Sequence, residues 1–399
     1  MRIVLFDLNR LSFEGGAEKY LNEVGIELSK KKHEVIYVGD FRFILYLYIF
    51  LGLLLLVNSP RKLVSLCREL HKSPSIKPGT EKYFTVYRLS LRFLLPSVFS
   101  RSNIKNILQN ADAVLVKNEI AELCCLRLMG VNTPKVFTMV FSSLYYPQAN
   151  SFRTKLHNRI YCGKFYQRQI KKFPRIIVSN KNDEIYFKKL LGRRSNSVHY
   201  LPYGLDESYF LNSNEVKTTR GFNILFVGRL EEQKGIDYLK RIIEKVNSRK
   251  DDNTINFTLA GDGPLKPTIE TIAKKYSNVS YLGQVNKDDL RSTYLKSDLV
   301  IIPSKWETFS YVCLEAQACG VPVVAFDIPG PQDILRYGTG KLIPLGNINQ
   351  FSNAIEHFIN LKIKSNTGYL KVRHKIADQT ARSYSIDTVV KQLERLAVN

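Results

Sequence analysis

The stretch that most constrains the fold runs from Leu299 to Phe326. Leu299–Pro303 is a short apolar run, the pattern of a buried strand. Phe309–Cys319 places Phe309, Val312, Cys313 and Ala316 at helical spacing and stops at Gly320. Val321–Phe326 is a second buried apolar run. Strand, helix and strand in this order belong to an open α/β sheet, whose ligands bind outside the carboxyl ends of the strands. Glu307 falls in the loop at such an end. Glu315 follows eight residues later, about two turns into the expected helix. A carboxylate accepts two hydroxyl hydrogen bonds at once, which suits a vicinal diol such as a ribose or a hexose. The Phe309 and Ser310 amides would open the helix and offer donors to an anion or a hydroxyl.

Two further loops carry polar or glycine-rich chemistry. A strand from Asn223 ends at Gly228, followed by Arg229, Leu230, Glu231, Glu232, Gln233, Lys234 and Gly235. Arg229 can hold a phosphate with two parallel bonds and Lys234 can act as a point charge. In the first half, the apolar run Arg2–Asp7 leads to Glu14, Gly15, Gly16, Ala17 and Glu18. A helix follows with Tyr20, Leu21, Val24 and Leu28 on one face. A paired glycine between strand and helix lets the backbone approach a phosphate closely. Further strands are expected at 33–38, 113–116, 135–141, 175–179, 257–260 and 279–283, and a last helix carries Val389, Val390, Leu393 and Leu396.

These strings resemble a known family. The run P-S-K-W-E-T-F-S-Y-V-C-L-E-A-Q-A-C-G-V-P-V-V-A, with G-R-L-E-E-Q-K-G, G-D-G-P-L and G-G-A-E, is similar to the retaining glycosyltransferases of family four. Matches extend from Gly15 to about Pro344 and are densest in the second half. The resemblance implies an α/β chain of the GT-B type, two Rossmann-like domains facing a central cleft. The expected N-terminal, acceptor-binding domain spans 1–205, and the expected nucleotide-sugar domain spans 206–377. The string Tyr200–Asp206 resembles the connection between them, and a terminal helix at 378–399 is expected to pack back on the first domain.

The roles that the resemblance implies are these. Arg229 and Lys234 hold the donor diphosphate and stabilise it as leaving group. Glu315 accepts the ribose hydroxyls. Glu307, with the Phe309 and Ser310 amides, holds the sugar, and Arg229, Lys234 and Glu307 form the catalytic set. The Gly15–Gly16 loop lies against the phosphates, and Gly283 to Val285 lie near the base. The donor is then a UDP- or GDP-sugar. Two positions depart from the pattern. Phe141 stands where a histidine commonly follows the strand, and Thr308 where glycine is frequent. These departures motivate a rival reading, a non-catalytic protein that binds a nucleotide sugar or a lipid.

Composition narrows the partners. Residues 1–200 hold 33 Lys+Arg against 14 Asp+Glu, and residues 201–399 hold 26 against 22. The excess sits at 61–101 and 153–194, which suggests an anionic partner for the first half. No nucleic-acid module accompanies the charge, so nucleic acid is not expected as a partner. Residues 43–57 are uncharged and apolar on every side. They are open to three readings: a membrane-dipping helix, a core helix, or a span, for which fifteen residues fall short of about 20. Apolar residues at 89–99 lie beside Arg88, Arg92 and Arg101, the make-up of an interfacial segment. The expectation is peripheral association with an anionic membrane at its cytoplasmic face, and a lipid-linked or glycan acceptor. Six cysteines without a C-x-x-C fit a reducing cytoplasm. The start of the chain has no secretory h-region. There is no D-x-D pair, and no metal or other cofactor is expected.

Overall fold

The computed structural model describes residues 1–7, 16–39, 85–88, 98–131, 135–141, 152–173, 175–212, 215, 221–248, 255–335 and 339–398. The segment 43–57, most of 89–99, and Gly15 lie outside them. The chain divides into two units. One comprises Met1–Ser179, Asp183–Leu201 and Val390–Asn399, and the other comprises Asn180–Asn182 and Pro202–Val389.

The first unit is built on strands β1 (Arg2–Asp7), β2 (Glu34–Gly39), β3 (Thr85–Arg88), β4 (Ala113–Lys117), β5 (Val136–Val140), β6 (Arg175–Val178) and β7 (Val198–Tyr200). They form one sheet, in the order β3-β2-β1-β4-β5-β6-β7. All its pairs are parallel, with Val4 opposite Val114 and Val116 opposite Thr138. Every residue of β4 and β5 is buried, as a parallel sheet covered on both faces requires. The chain's last residues contribute here. His33 Nε2 lies 2.7 Å from Glu394 Oε1, and Arg175 Nη1 donates to the Leu396 carbonyl at 2.6 Å.

The second unit holds β8 (Phe222–Val227), β9 (Ile255–Ala260), β10 (Val279–Gly283), β11 (Leu299–Ile302), β12 (Val323–Phe326) and β13 (Gly340–Ile343). They too are all parallel, in the order β10-β9-β8-β11-β12-β13. The helix Ile236–Asn247 shows why the layers form. Ile236, Leu239, Ile242, Ile243 and Val246 recur at helical spacing and all are buried in this unit's core with Phe226, Phe257 and Phe326.

In each sheet the strand order reverses at one place, between β1 and β4 and between β8 and β11. Such a reversal leaves a crevice outside the carboxyl ends of the two strands, because the connections on either side leave in opposite directions. Among the described residues no helix is long and apolar enough to cross a membrane.

Candidate functional site

In the second unit four loops lie side by side at the carboxyl edge of the sheet. Main-chain hydrogen bonds join each to the next. The Gly261 amide donates to the Gly283 carbonyl at 2.7 Å, and the Gly228 amide to Ala260 at 3.1 Å. The Leu230 amide donates to Asp262 at 2.8 Å, and the Lys305 amide to Gln233 at 2.8 Å. The last of these bonds crosses the reversal between β8 and β11. Gly235 makes that crossing possible. Its φ is +66°, and a Cβ there would come within 1.9 Å of the Pro303 carbonyl oxygen, so no other residue fits.

Lys234 and Glu307 are among the polar groups that face each other across the reversal. Lys234 ends a short 3₁₀ turn, Glu232–Lys234, after β8, and Glu307 lies in the loop after β11. Lys234 Nζ donates to Glu307 Oε1 at 2.7 Å, with the side chains 16% and 8% exposed. Ser304 Oγ donates to the same oxygen at 2.9 Å. A lysine ammonium has three donors, and this contact uses one of them. Around the pair, Gln233 Nε2 donates to the Trp306 carbonyl at 3.1 Å, and Lys305 Nζ lies 3.3 Å from Asp237 Oδ1.

Glu315 has a different neighbourhood. It is buried in the helix Tyr311–Ala318, and its Oε2 accepts the Tyr294 hydroxyl at 3.0 Å. Tyr294 comes from the helix Lys287–Leu295 and is fully buried. Burial, then the charge of Glu315 and the hydrogen bond to it, hold the phenol's proton far above its ordinary range, so Tyr294 stays a donor. The far end of the Glu315 helix is held by Arg373. This arginine is 2% exposed, and its Nε donates to the Gly320 carbonyl at 3.2 Å. A cation there also complements the helix dipole.

The sequence places this helix two residues too early. It begins at Tyr311, with Phe309 and Ser310 in the preceding loop, so Glu315 lies little more than one turn into it. The reason is Ser310, whose φ of +76° and ψ of +78° are incompatible with a right-handed helix. Phe309 is buried. Its ring sits 4.5 Å from that of Tyr203, 5.9 Å from Tyr311 and 6.5 Å from Tyr384.

The remaining expected residues fall as follows. Arg229 is exposed and pairs with Glu231 at 2.7 Å rather than facing Lys234. Gly283 ends β10, with φ +70°, and Val285 lies two residues beyond. Since β9 separates β10 from β8, both stand about 10 Å along the sheet from the Lys234 loop. Gly16 opens the helix Gly16–Lys30 of the first unit. Phe141 follows β5, its ring 5.8 Å from that of Tyr20. Sequence reasoning passed over Ser304, Tyr294 and Arg373. Only Ser304 carried a local signal, three residues before Glu307. Among the described residues no group of three or more His, Cys, Asp or Glu is placed to hold a metal ion.

Three comparisons bear on this arrangement. Residues 221–360 match the family model of the glycosyl transferases group 1. A protein of Methanocaldococcus jannaschii, named as an uncharacterized glycosyltransferase, is 39% identical over 117 residues, 29% of this chain and 29% of its own length. The gpi3 subunit of phosphatidylinositol N-acetylglucosaminyltransferase from Schizosaccharomyces pombe is 28% identical over 182 residues, 42% of this chain and 39% of that one. The chain thus spans less than half the length of these curated relatives. Among solved structures, Anabaena Alr3699/HepE in complex with UDP and glucose matches with a TM-score of 0.67 over 100% of both chains, at 16% identity. That likeness concerns the fold. With two parallel sheets each reversing once and a full-length structural counterpart, the chain has the GT-B type fold, and its residues 221–360 carry the match to the glycosyl transferases group 1.

Proposed function

We propose that the chain is a retaining glycosyltransferase. It moves a sugar from a UDP- or GDP-sugar to a lipid-linked or glycan acceptor at the cytoplasmic face of a membrane. The observation that carries this reading is the Lys234–Glu307 pair across the β8/β11 reversal. It puts a cation and a carboxylate at the position where an open α/β sheet takes its ligand. Lys234, with Arg229 swinging from its exposed pairing, neutralises the diphosphate as it leaves, so the two cations take the part a metal could play. Glu315, oriented by Tyr294, accepts the ribose hydroxyls. Glu307 and the Phe309–Ser310 backbone hold the sugar, the Gly15–Gly16 loop covers the phosphates, and Gly283 to Val285 flank the base.

The acceptor is assigned to the first unit. Its basic charge supports an anionic surface as partner, as do exposed Leu156, Ile160 and Phe165 among Lys155, Arg159, Lys164 and Arg168. A relative whose name includes phosphatidylinositol is consistent with a lipid acceptor. The test is a thermal-shift screen of nucleotide sugars, followed by mass spectrometry of products formed with a membrane lipid extract. A stabilising UDP- or GDP-sugar and a glycosylated lipid are expected. A protein that binds a donor yet neither transfers nor hydrolyses it is the non-catalytic alternative. One that stays in the supernatant with anionic vesicles at low salt, and glycosylates a water-soluble acceptor, refutes the membrane assignment.

A further inference from the structure

Between Glu122 and Asp183 sixty residues carry eleven Lys+Arg and neither Asp nor Glu. Two consecutive helices of the first unit lie in this stretch, Phe152–Tyr161 and Lys164–Ile170. Each shows two faces. In the second helix Tyr166, Gln169 and Ile170 are buried, and Tyr166 and Ile170 belong to the unit's core. Lys164, Phe165 and Arg168 fall on the opposite side and are exposed. In the first helix Tyr161 packs against that core, while Lys155, Leu156, Arg159 and Ile160 are exposed. Phe165 leaves 55% of its surface in water, Leu156 41% and Ile160 39%. Among the described residues no other phenylalanine is exposed.

A helix face that stays in water has no use for this make-up. Solvated surfaces mix charges of both signs, and their exposed apolar side chains are scattered singly. Here Lys155 with Leu156, Arg159 with Ile160 and Lys164 with Phe165 are three pairs of one cation and one apolar residue, all exposed and none beside an acid. That is the composition of an element lying in a membrane interface, where the apolar part enters the headgroup region and the cations meet anionic lipid. Cations alone would suit a nucleic-acid backbone equally, but exposed apolar side chains gain nothing there. The corner between the two helices is also anchored. Tyr161 donates its hydroxyl hydrogen bond to the Glu119 carboxylate, its ring lies 5.1 Å from that of Tyr166, and Arg127 Nη1 donates to Gln169 Oε1 at 3.1 Å. Glu119 lies two residues beyond β4, at the edge of the reversal between β1 and β4.

We propose that this helical corner is the surface by which the first unit docks on an anionic phospholipid bilayer. Leu156, Ile160 and Phe165 enter the headgroup region, and Lys155, Arg159, Lys164 and Arg168 meet the lipid phosphates. The inference deepens the membrane part of the reading above and rests on it. That reading named an anionic surface as partner, and the corner fixes the contact and its orientation. An α-helix with its side chains is about 10–12 Å across. Tyr161 and the exposed residues occupy opposite sides of one helix, so the bilayer surface comes to lie about that distance from Glu119. The crevice assigned to the acceptor opens at the same edge of the sheet, where a lipid-borne headgroup reaches it without leaving the membrane.

The test is co-sedimentation of the full chain with vesicles of phosphatidylglycerol and phosphatidylcholine in equal parts, and with vesicles of phosphatidylcholine alone. The parent should partition to the anionic vesicles. F165S should bind them about tenfold more weakly, having lost the burial of a half-exposed ring. K164Q/R168Q should bind about 25-fold more weakly, near fivefold for each cation. K371Q/K375Q removes the same charge from an exposed face of the helix Asn366–Tyr384 in the second unit, and should stay within about twofold of the parent. In F165W, bromine on the lipid acyl chains should quench tryptophan emission beyond the signal of Trp306, the single native tryptophan. The substituted side chains are exposed, and changes there leave folding intact. If the parent binds anionic vesicles and both F165S and K164Q/R168Q bind as it does, the corner is not the contact and the membrane reading stands on another segment. If the parent binds neither kind of vesicle, the membrane reading itself fails and the proposal with it. Equal losses in K371Q/K375Q and K164Q/R168Q would reduce the contact to undirected charge, and release by duplex DNA with F165S unaffected would make the corner a polyanion site; either result overturns the proposal.

Discussion

Lys234→Ala separates the lysine's two duties. In the ligand-free protein it compensates Glu307, whose side chain is 8% exposed and whose other polar neighbour at that oxygen is Ser304. Removing one partner of a buried pair leaves a desolvated charge, a change of about 3–5 kcal/mol when both groups are fully enclosed. Lys234 retains 16% exposure, so the loss falls at or just below the lower end of that range, about 2–3 kcal/mol. For a unit of this size that corresponds to a melting point lower by about 5–10 °C. Adding Glu307→Gln should recover most of the loss, since an amide needs no cation beside it. Activity should behave otherwise. Losing a cation that stabilises a leaving diphosphate costs about 3 kcal/mol of transition-state binding, or roughly a hundredfold in kcat/KM. The double variant should not regain it. The assay pairs differential scanning calorimetry with product formation from a radiolabelled donor. The reasoning is refuted if K234A keeps kcat/KM within about threefold of the parent, or if the double variant recovers activity along with stability.

Three other outcomes follow from the geometry. Tyr294→Phe keeps the packing and removes the hydrogen bond to Glu315. It should raise the donor KM about fivefold with little change in kcat, and it should narrow the preference for UDP over 3′-deoxy-UDP, read by competition. Gly235→Ala should abolish cooperative folding of the second unit, because the new methyl group would meet a main-chain oxygen; circular dichroism melts would show it. In the first unit the Glu122 carboxyl is pushed from 4.5 up to about 8, by burial first and then by Asp7 and Glu119, with Lys117 opposing. The folded state therefore holds a proton that the unfolded state has released between those values. Stability should fall as pH rises from about 4.5 to 8, by at most about 1.4 kcal/mol per pH unit, and level off above. Glu122→Gln should flatten that slope in denaturant titrations at a series of pH values.

The interior strands were legible in the sequence because burial on both faces demands unbroken apolar runs. β4, β8, β11 and β12 each read that way. The strands that escaped, β3, β7 and β13, stand at the ends of their sheets. There one side lacks a neighbour, and segments such as Thr85–Arg88 and Gly340–Ile343 carry polar residues that break the run. The loop holding Glu307 was legible from the apolar run before it. The true start of the next helix was not, because apolar spacing continues through Phe309 and nothing local signals that Ser310 adopts a left-handed backbone. Tyr294 and Arg373 were invisible for another reason. They reach Glu315 and Gly320 from helices distant in sequence, and only the packing of the unit brings them there.

The four loops at the carboxyl edge of the second sheet are knitted together by main-chain bonds, 283 to 261, 260 to 228, 262 to 230 and 233 to 305. Backbone amides and carbonyls are the same whatever residue bears them. The floor of this crevice is thus written in a part of the polymer that ordinary substitution does not alter, while Glu231, Trp306 and Thr308 can be exchanged one at a time. Architecture and selectivity are therefore inherited separately here, and a change of cargo need not be a change of fold. For an engineer, a library randomised at those three positions should yield mostly folded proteins with altered nucleotide or sugar preference. The same diversity spent on Gly235 would be lost before selection began.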